Sequence, residues 1–154
     1  MTEPGTHGSS AASRTEHHGK GAKVPAASRS VLLVEDDEKF ASIVRAYLEQ
    51  QGFEVLEARD GGEAVRLVMA RDFDVILCDM VMPNFPGDMF YRAVERTRPD
   101  LCRRFIFMTG FKGDQKITEF IGKVGGFMLW KPFEFRVMME AIATIVGKRL
   151  RRSR

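Results

Sequence analysis

Five short apolar runs alternate with stretches of helical periodicity between Val31 and Gly147. Apolar runs of this kind, with few alternating polar residues, are typical of strands buried on both faces. Strands separated by helices of about a dozen residues run parallel to one another. The pattern therefore predicts an α/β fold, a doubly wound five-stranded parallel sheet between two helical layers. The predicted strands are 31–35, 53–58, 74–79, 104–109 and 127–131.

The segments between the strands have apolar residues on one side and recognisable ends. Asp60 and Glu63 form a capping pair for the second helix, and the third follows Gly87. The fourth helix is predicted over 112–124 and the fifth over 134–147. The inward stripe of the first helix is predicted at Phe40, Ile43, Val44, Tyr47 and Leu48, and that of the fifth at Val137, Met138, Ala141, Ile142 and Ile145.

Charge is distributed unevenly along the chain. Residues 1–30 are rich in Gly, Ser, Ala and His and are predicted to be a disordered arm, because they have little apolar surface to bury. The arm has a net charge of +2 and the tail 148–154 a net charge of +5, so that the folded part, 31–147, has −4 within a total of +3. An acidic domain is not expected to bind nucleic acid by itself. The basic tail keeps a nucleic-acid or membrane contact open, although cations at a helix C-terminus are often only solvated.

Hydropathy and cysteine spacing bear on whether the protein spans a membrane and whether its cysteines form disulfides or bind zinc. No apolar stretch approaches the roughly 20 residues that cross a bilayer. Residues 1–30 also lack the apolar core of a signal peptide. We expect a soluble, cytoplasmic protein without a membrane span. Cys78 and Cys102 fit neither a disulfide framework nor a zinc site and are predicted to be free thiols, with Cys78 inside a strand.

Polar residues follow four of the predicted strands and should lie at one edge of the sheet. The acidic residues of the group have a plain alternative role as helix caps, but Asp79 ends an apolar strand and converges with them. Clustered carboxylates suit a hard divalent cation such as Mg²⁺, and a carboxylate can attack phosphorus without a base. A hydroxyl and an ammonium can hold phosphoryl oxygens. The residues are Glu35, Asp36, Asp37, Asp79, Thr109 and Lys131.

Four short motifs resemble the receiver domain of bacterial two-component response regulators. They are VLLVEDD at 31–37, DMVMP at 79–83, MTG at 108–110 and KPF at 131–133. The resemblance covers nearly the whole predicted folded part and extends to the receivers of hybrid sensor kinases. It implies a flavodoxin-like (βα)5 fold with strand order 2-1-3-4-5. It also implies a stand-alone receiver that signals through protein contacts and is not an enzyme in its own right.

The resemblance assigns a role to each residue at the strand ends. Asp79 is the phosphoacceptor, and Thr109 and Lys131 contact the phosphoryl group. Glu35 and Asp36 are the acidic pair of the Mg²⁺ site, with Asp36 as the direct ligand, and Asp79 and the backbone carbonyl of Val81 complete the protein's share of the coordination. Asp37 is expected to cap the first helix, and the bond from Lys131 to Pro132 to be cis. The phosphoryl donor is expected to be a sensor histidine kinase or a histidine phosphotransfer protein, within a phosphorelay.

One position departs from the usual receiver pattern, and two others occupy places that influence access of the hydrolytic water in this family. Met128 stands three residues before Lys131, where the family has Tyr or Phe, so we expect a muted or rewired switch. Val81 and Phe111, two residues beyond Asp79 and Thr109, are apolar and cannot orient a water by hydrogen bonding. We therefore expect a long-lived aspartyl phosphate.

Two other functions fit the sequence less well than that of a receiver. An aspartate-dependent phosphohydrolase usually has a second aspartate at the position of Val81. A nucleotide binder needs a glycine-rich loop or a P-loop, which is missing after the first strand. A receiver-fold interaction module that acts without phosphorylation is the remaining alternative.

Overall fold

A computed structural model of the protein describes residues 29–152, with side chains through Lys148. Its five strands form one parallel sheet in the order β2-β1-β3-β4-β5, so the predicted fold and strand order are confirmed. The strands are β1 (Ser30–Val34), β2 (Glu54–Ala58), β3 (Val75–Asp79), β4 (Phe105–Thr109) and β5 (Phe127–Trp130). The helices are α1 (Glu38–Gln50), α2 (Gly61–Ala70), α3 (Gly87–Thr97), α4 (Gln115–Val124) and α5 (Phe135–Arg152), with a short 3-10 helix at Pro99–Arg104.

Two hydrophobic cores lie on the two faces of the sheet. Leu32 and Val34 face the core beneath α2, α3 and α4, whereas Val31 and Leu33 face the core beneath α1 and α5. Residues of β1, β3 and β4 are buried without exception, which explains why their sequences are apolar at successive positions. Among the described residues, no helix is long and apolar enough to cross a membrane.

Two predicted core residues point toward solvent instead. Ile43 is 58% exposed and Val137 is 38% exposed. Each precedes an inward residue by one position, Val44 in α1 and Met138 in α5. Successive helical residues are about 100° apart, so a neighbour of a buried residue lies at the edge of the packed face. The prediction of inward positions for Ile43 and Val137 was therefore wrong.

Three helix boundaries also differ from the prediction. Helix α4 begins at Gln115 rather than at 112, because Asp114 caps it by accepting hydrogen bonds from two backbone N–H groups. Helix α5 begins at Phe135 rather than at 134 and continues past Gly147 to Arg152. A helical glycine costs only about 1 kcal/mol, and the residues that follow it are strong helix formers. The predicted arm, 1–30, lies outside the described residues except for its last two, and 153–154 are also outside them.

Gly87, the first residue of α3, packs directly against the end of β3. A Cβ at this position would overlap the carbonyl oxygen of Asp79 and lie 3.0 Å from the Cα of Met80. The Gly87 N–H also donates to the carbonyl oxygen of Met80 (3.2 Å). The absence of a side chain therefore lets the helix approach the strand that carries Asp79.

A Gly87→Ala variant should lose about 1–3 kcal/mol of unfolding free energy, because backbone atoms must move to accept the methyl group. Urea denaturation measures the loss. Gly122→Ala is the matched control, since a Cβ there meets nothing within 4 Å and α4 should gain stability from it. Equal stability of the Gly87→Ala variant and the wild type would contradict this account of the contact.

Candidate functional site

Three carboxylates meet at the carboxyl edge of the sheet. Asp79 is the last residue of β3, and Glu35 and Asp36 follow β1 directly. One carboxylate oxygen from each lies within 4.8 Å of the others. Glu35 and Asp79 are buried, with 3% and 6% exposure, whereas Asp36 is exposed. The predicted convergence of these acidic residues is confirmed.

Lys131, which follows β5, places its ammonium against two of the carboxylates. Its Nζ donates to Glu35 Oε2 at 2.6 Å and to Asp79 Oδ2 at 3.1 Å. Its backbone N–H donates to the carbonyl oxygen of Thr109 at 2.7 Å, which ties the position of Lys131 to the end of β4. The predicted cis bond between Lys131 and Pro132 is confirmed. The shorter contact of Lys131 is thus with Glu35 rather than with Asp79.

Burial and repulsion make Glu35 a weak acid. Removal from water, together with the charge of Asp79, raises the pKa of Glu35 to about 7, and the hydrogen bond from Lys131 only partly offsets this. Burial alone would lower the pKa of Lys131, but its contacts with Glu35 and Asp79 outweigh burial and raise it. Lys131 is therefore a cation facing two carboxylates, and Asp36 adds a third. The carboxyl groups of the site outnumber its one ammonium group, so the site can accept a further cation.

Backbone groups orient the remaining polar atoms of the site. The Val81 N–H donates to Asp79 Oδ1 at 2.9 Å, so each oxygen of Asp79 has its own donor. Thr109 is fully buried, and its Oγ1 accepts a hydrogen bond from the Phe111 N–H at 3.2 Å. The Thr109 O–H remains a donor. Val81 and Phe111 are both exposed, and their apolar side chains border the ends of the strands that carry Asp79 and Thr109.

The other residues singled out in the sequence lie nearby in defined places. Asp37 caps α1, as predicted, by accepting from the Phe40 N–H at 3.1 Å. Met128 is half-buried on β5, beside Phe107 in the strand register, and packs on the core beneath α3 and α4. Cys78 is a buried free thiol, as predicted, immediately before Asp79.

Phe40 also lies at the site, although no sequence motif marks it as a site residue. The ring centroid of Phe40 lies 4.3 Å from Lys131 Nζ, within cation–π distance. The periodicity of α1 identified Phe40 as an inward-facing residue and carried no signal of its contact with a lysine far along the chain. Only the position of Phe40 close after the acidic run Glu35–Glu38 hinted that it lies near the site.

Comparison with known proteins decides the family. The family model of the response regulator receiver domain matches residues 31–143. The chain belongs to this family. Receiver domains are signalling modules of two-component systems, and the predicted resemblance is confirmed.

Relatives of this receiver domain include parts of much longer proteins. The sensor histidine kinase AruS of Pseudomonas aeruginosa is 33% identical over 131 residues, which are 81% of this chain and 13% of that protein. The chain spans 12–13% of the length of the sensor kinases that it matches first. The match therefore concerns the receiver portion of these kinases.

Solved structures similar to this receiver domain agree with its fold. A CheY-like receiver domain protein from Methanospirillum hungatei has a TM-score of 0.74 at 23% identity, covering 81% of this chain and 98% of that one. The response regulator protein TrrA from Thermotoga maritima, solved in complex with Mg²⁺-BeF, has a TM-score of 0.67 at 18% identity, covering 76% and 98%. At these identities the likeness establishes the fold alone.

Proposed function

We propose that this receiver domain accepts a phosphoryl group on Asp79, with Mg²⁺ bound at the acidic cluster, and signals through protein contacts. The observation that carries the proposal is the buried arrangement of Asp79, with Oδ1 on a backbone N–H and Oδ2 on the ammonium of Lys131. A carboxylate held in this way is oriented, and it has no proton to lose before it attacks phosphorus. Signalling rather than catalysis is the role that the family supports.

The donor set fits Mg²⁺. Glu35, Asp36 and Asp79 offer hard carboxylate oxygens within 4.8 Å of one another, and the carbonyl of Val81 is the proposed fourth protein ligand. Burial, and to a smaller extent the charge of Asp79, raises the pKa of Glu35, and a divalent cation bound beside these carboxylates would offset both effects. When bound, Mg²⁺ supplies charge neutralisation to an incoming phosphoryl group. The complex of TrrA with Mg²⁺-BeF gives this proposal a precedent on the same fold.

The chain's own residues account for the transfer. An oxygen of Asp79 forms a bond to phosphorus, while the bond from phosphorus to the leaving nitrogen of a phosphohistidine breaks. The ammonium of Lys131 and the O–H of Thr109 then donate to phosphoryl oxygens on the product. Val81 N–H keeps the carboxylate of Asp79 in one orientation throughout.

The donor follows from the chemistry and from the relatives. A phosphohistidine on a sensor histidine kinase or on a histidine phosphotransfer protein is the proposed source, in keeping with the sensor kinases that contain similar receivers. The downstream partner is proposed to bind around α4 and α5. Contacts with a phosphoryl donor and with a downstream partner are the two that a protein in a phosphorelay needs.

Intact-mass measurement with Mg²⁺ and acetyl phosphate tests the proposal. The wild type should gain about one phosphoryl group, whereas Asp79→Asn and a wild-type sample in EDTA should gain none. No gain by the wild type, under conditions that modify a known receiver, would favour an interaction module that acts without phosphorylation.

The apolar side chains of Val81 and Phe111 should slow hydrolysis of the phosphorylated protein, because neither can hold a water in line with phosphorus. A Phe111→Ser variant should lose the phosphoryl group about fivefold faster, the effect of one added hydrogen bond. Decay is followed by intact mass after removal of the donor. Phe111→Leu is the matched control, which keeps the apolar cover and should decay at the wild-type rate. An unchanged decay rate in Phe111→Ser would contradict the proposal that the side chain of Phe111 slows hydrolysis.

A further inference from the structure

The ring of Phe40 lies directly over the lysine of the site. Phe40 is a half-buried residue in the first turn of α1, and its ring centroid is 4.3 Å from Lys131 Nζ. We propose that Phe40 is a positioning residue for phosphoryl transfer, whose ring face holds the Lys131 ammonium between Glu35 and Asp79. The inference rests on the proposed role of Asp79 and adds a residue that the receiver motifs do not include.

The ammonium has three N–H donors and meets three surfaces. Two are carboxylates, Glu35 Oε2 at 2.6 Å and Asp79 Oδ2 at 3.1 Å. The third is the π face of Phe40, whose negative quadrupole attracts a cation most strongly where water is excluded. The side chain of Lys131 is only 21% exposed, so water competes weakly for the charge. The ring face is therefore the third contact of the Lys131 ammonium, beside the two carboxylates.

Both partners of this contact are held from outside it. The backbone N–H of Phe40 donates to the capping carboxylate of Asp37, which fixes the first turn of α1. The ring packs edge-on against Phe133, with centroids 5.9 Å apart and planes at 85°. The ring centroids of Phe133 and Phe135 are 6.4 Å apart, and those of Phe135 and Tyr47, on α1, are 4.7 Å apart. A row of rings thus joins α1 to the segment that follows Lys131.

Restraint of the ammonium has a direct consequence for the transfer. A lysine stem is long and flexible, and a donor accelerates a reaction most when it is already in place as charge develops. The ring restricts Nζ to a position within reach of Asp79, where the phosphoryl group would be added. Loss of the ring should leave Lys131 in the site but distribute its ammonium over more positions. A slower transfer follows, by about three- to tenfold.

Four proteins test the proposal: the wild type, Phe40→Leu, Phe40→Tyr and Phe53→Leu. Phosphoryl gain from acetyl phosphate is followed by intact mass, and Mg²⁺ affinity by calorimetry. Phe40→Leu should be about three- to tenfold slower, and Phe40→Tyr should retain the wild-type rate because it keeps the ring face. Phe53→Leu removes a ring that packs on the core beneath α1 and α5 but is not part of this row of rings, and it should also retain the rate. The Mg²⁺ affinity of Phe40→Leu should be unchanged or higher, because the carboxylates remain and the ammonium competes less for them.

Different failures have different meanings. If the wild type is phosphorylated and the Phe40→Leu variant gains the phosphoryl group at the same rate, the role of the ring is overturned and the proposed function stays intact. Parallel losses of phosphorylation and of Mg²⁺ affinity in Phe40→Leu, or no rescue by Phe40→Tyr, would reduce Phe40 to a packing residue and also overturn the proposal. No phosphoryl gain by the wild type overturns the proposed function, and the positioning role with it.

Discussion

A Lys131→Met variant is expected to accept phosphoryl groups about 100-fold more slowly than the wild type, while it binds Mg²⁺ more tightly. The rate should fall because the ammonium that would donate to a phosphoryl oxygen on Asp79 is gone, and methionine fills similar space without a charge. Mg²⁺ affinity should rise because Lys131 now competes with a metal for Glu35 and Asp79, at 2.6 and 3.1 Å. Phosphoryl gain by intact mass and Mg²⁺ titration by calorimetry give the two measurements.

The opposite directions of the two effects separate chemistry from damage to the fold. A variant that merely unfolds would lose both activities together. Lys123→Met is the matched control, since Lys123 is an exposed lysine in the last turn of α4 and should change neither quantity. Lys131→Met with a wild-type rate would remove Lys131 from the proposed transfer step. Weaker Mg²⁺ binding would show that the lysine supports the metal ligands instead of competing with them.

The meeting of Glu35, Asp79 and Lys131 could be predicted because it depends on few physical facts. Each residue follows or ends an apolar run, each run is a strand, and parallel strands end at one edge of the sheet. No side-chain detail enters that argument. Local signals were equally sufficient for Asp37 and Asp60, since a helix cap depends only on the residues of the next turn.

Features that depend on tertiary packing could not be predicted in the same way. Ile43 is as apolar as Val44, and only the angle at which α1 lies on the sheet decides which of the two is buried. The contact of Phe40 with Lys131 joins residues 91 positions apart, and no periodicity relates them. The preference of Lys131 for Glu35 over Asp79 depends on sub-ångström placement of carboxylate oxygens, which the spacing of motifs does not determine.

Mg²⁺ affinity should fall by about 100-fold between pH 8 and pH 5, because Glu35 must lose a proton before it can bind a metal. Burial beside Asp79 raises the pKa of Glu35 from 4.5 to about 7 in the metal-free folded protein. Above pH 7 the carboxylate of Glu35 is ionised and can bind Mg²⁺. Below pH 7 it is protonated, and each further pH unit lowers the Mg²⁺ affinity by up to about tenfold. Calorimetric titrations of the metal-free protein across this range measure the change.

Glu35→Gln identifies the group responsible. The amide can still accept from Lys131 but does not titrate, so this variant should bind Mg²⁺ more weakly than the wild type at pH 8 and with little change down to about pH 6. Equal wild-type affinities at pH 8 and pH 5 would mean that Glu35 is ionised throughout, with Lys131 outweighing burial. The same slope in both proteins would assign the proton to a group other than Glu35. A slope confined to the wild type would show that Glu35, whose pKa is raised by burial and by the charge of Asp79, makes the metal site sensitive to pH near neutrality.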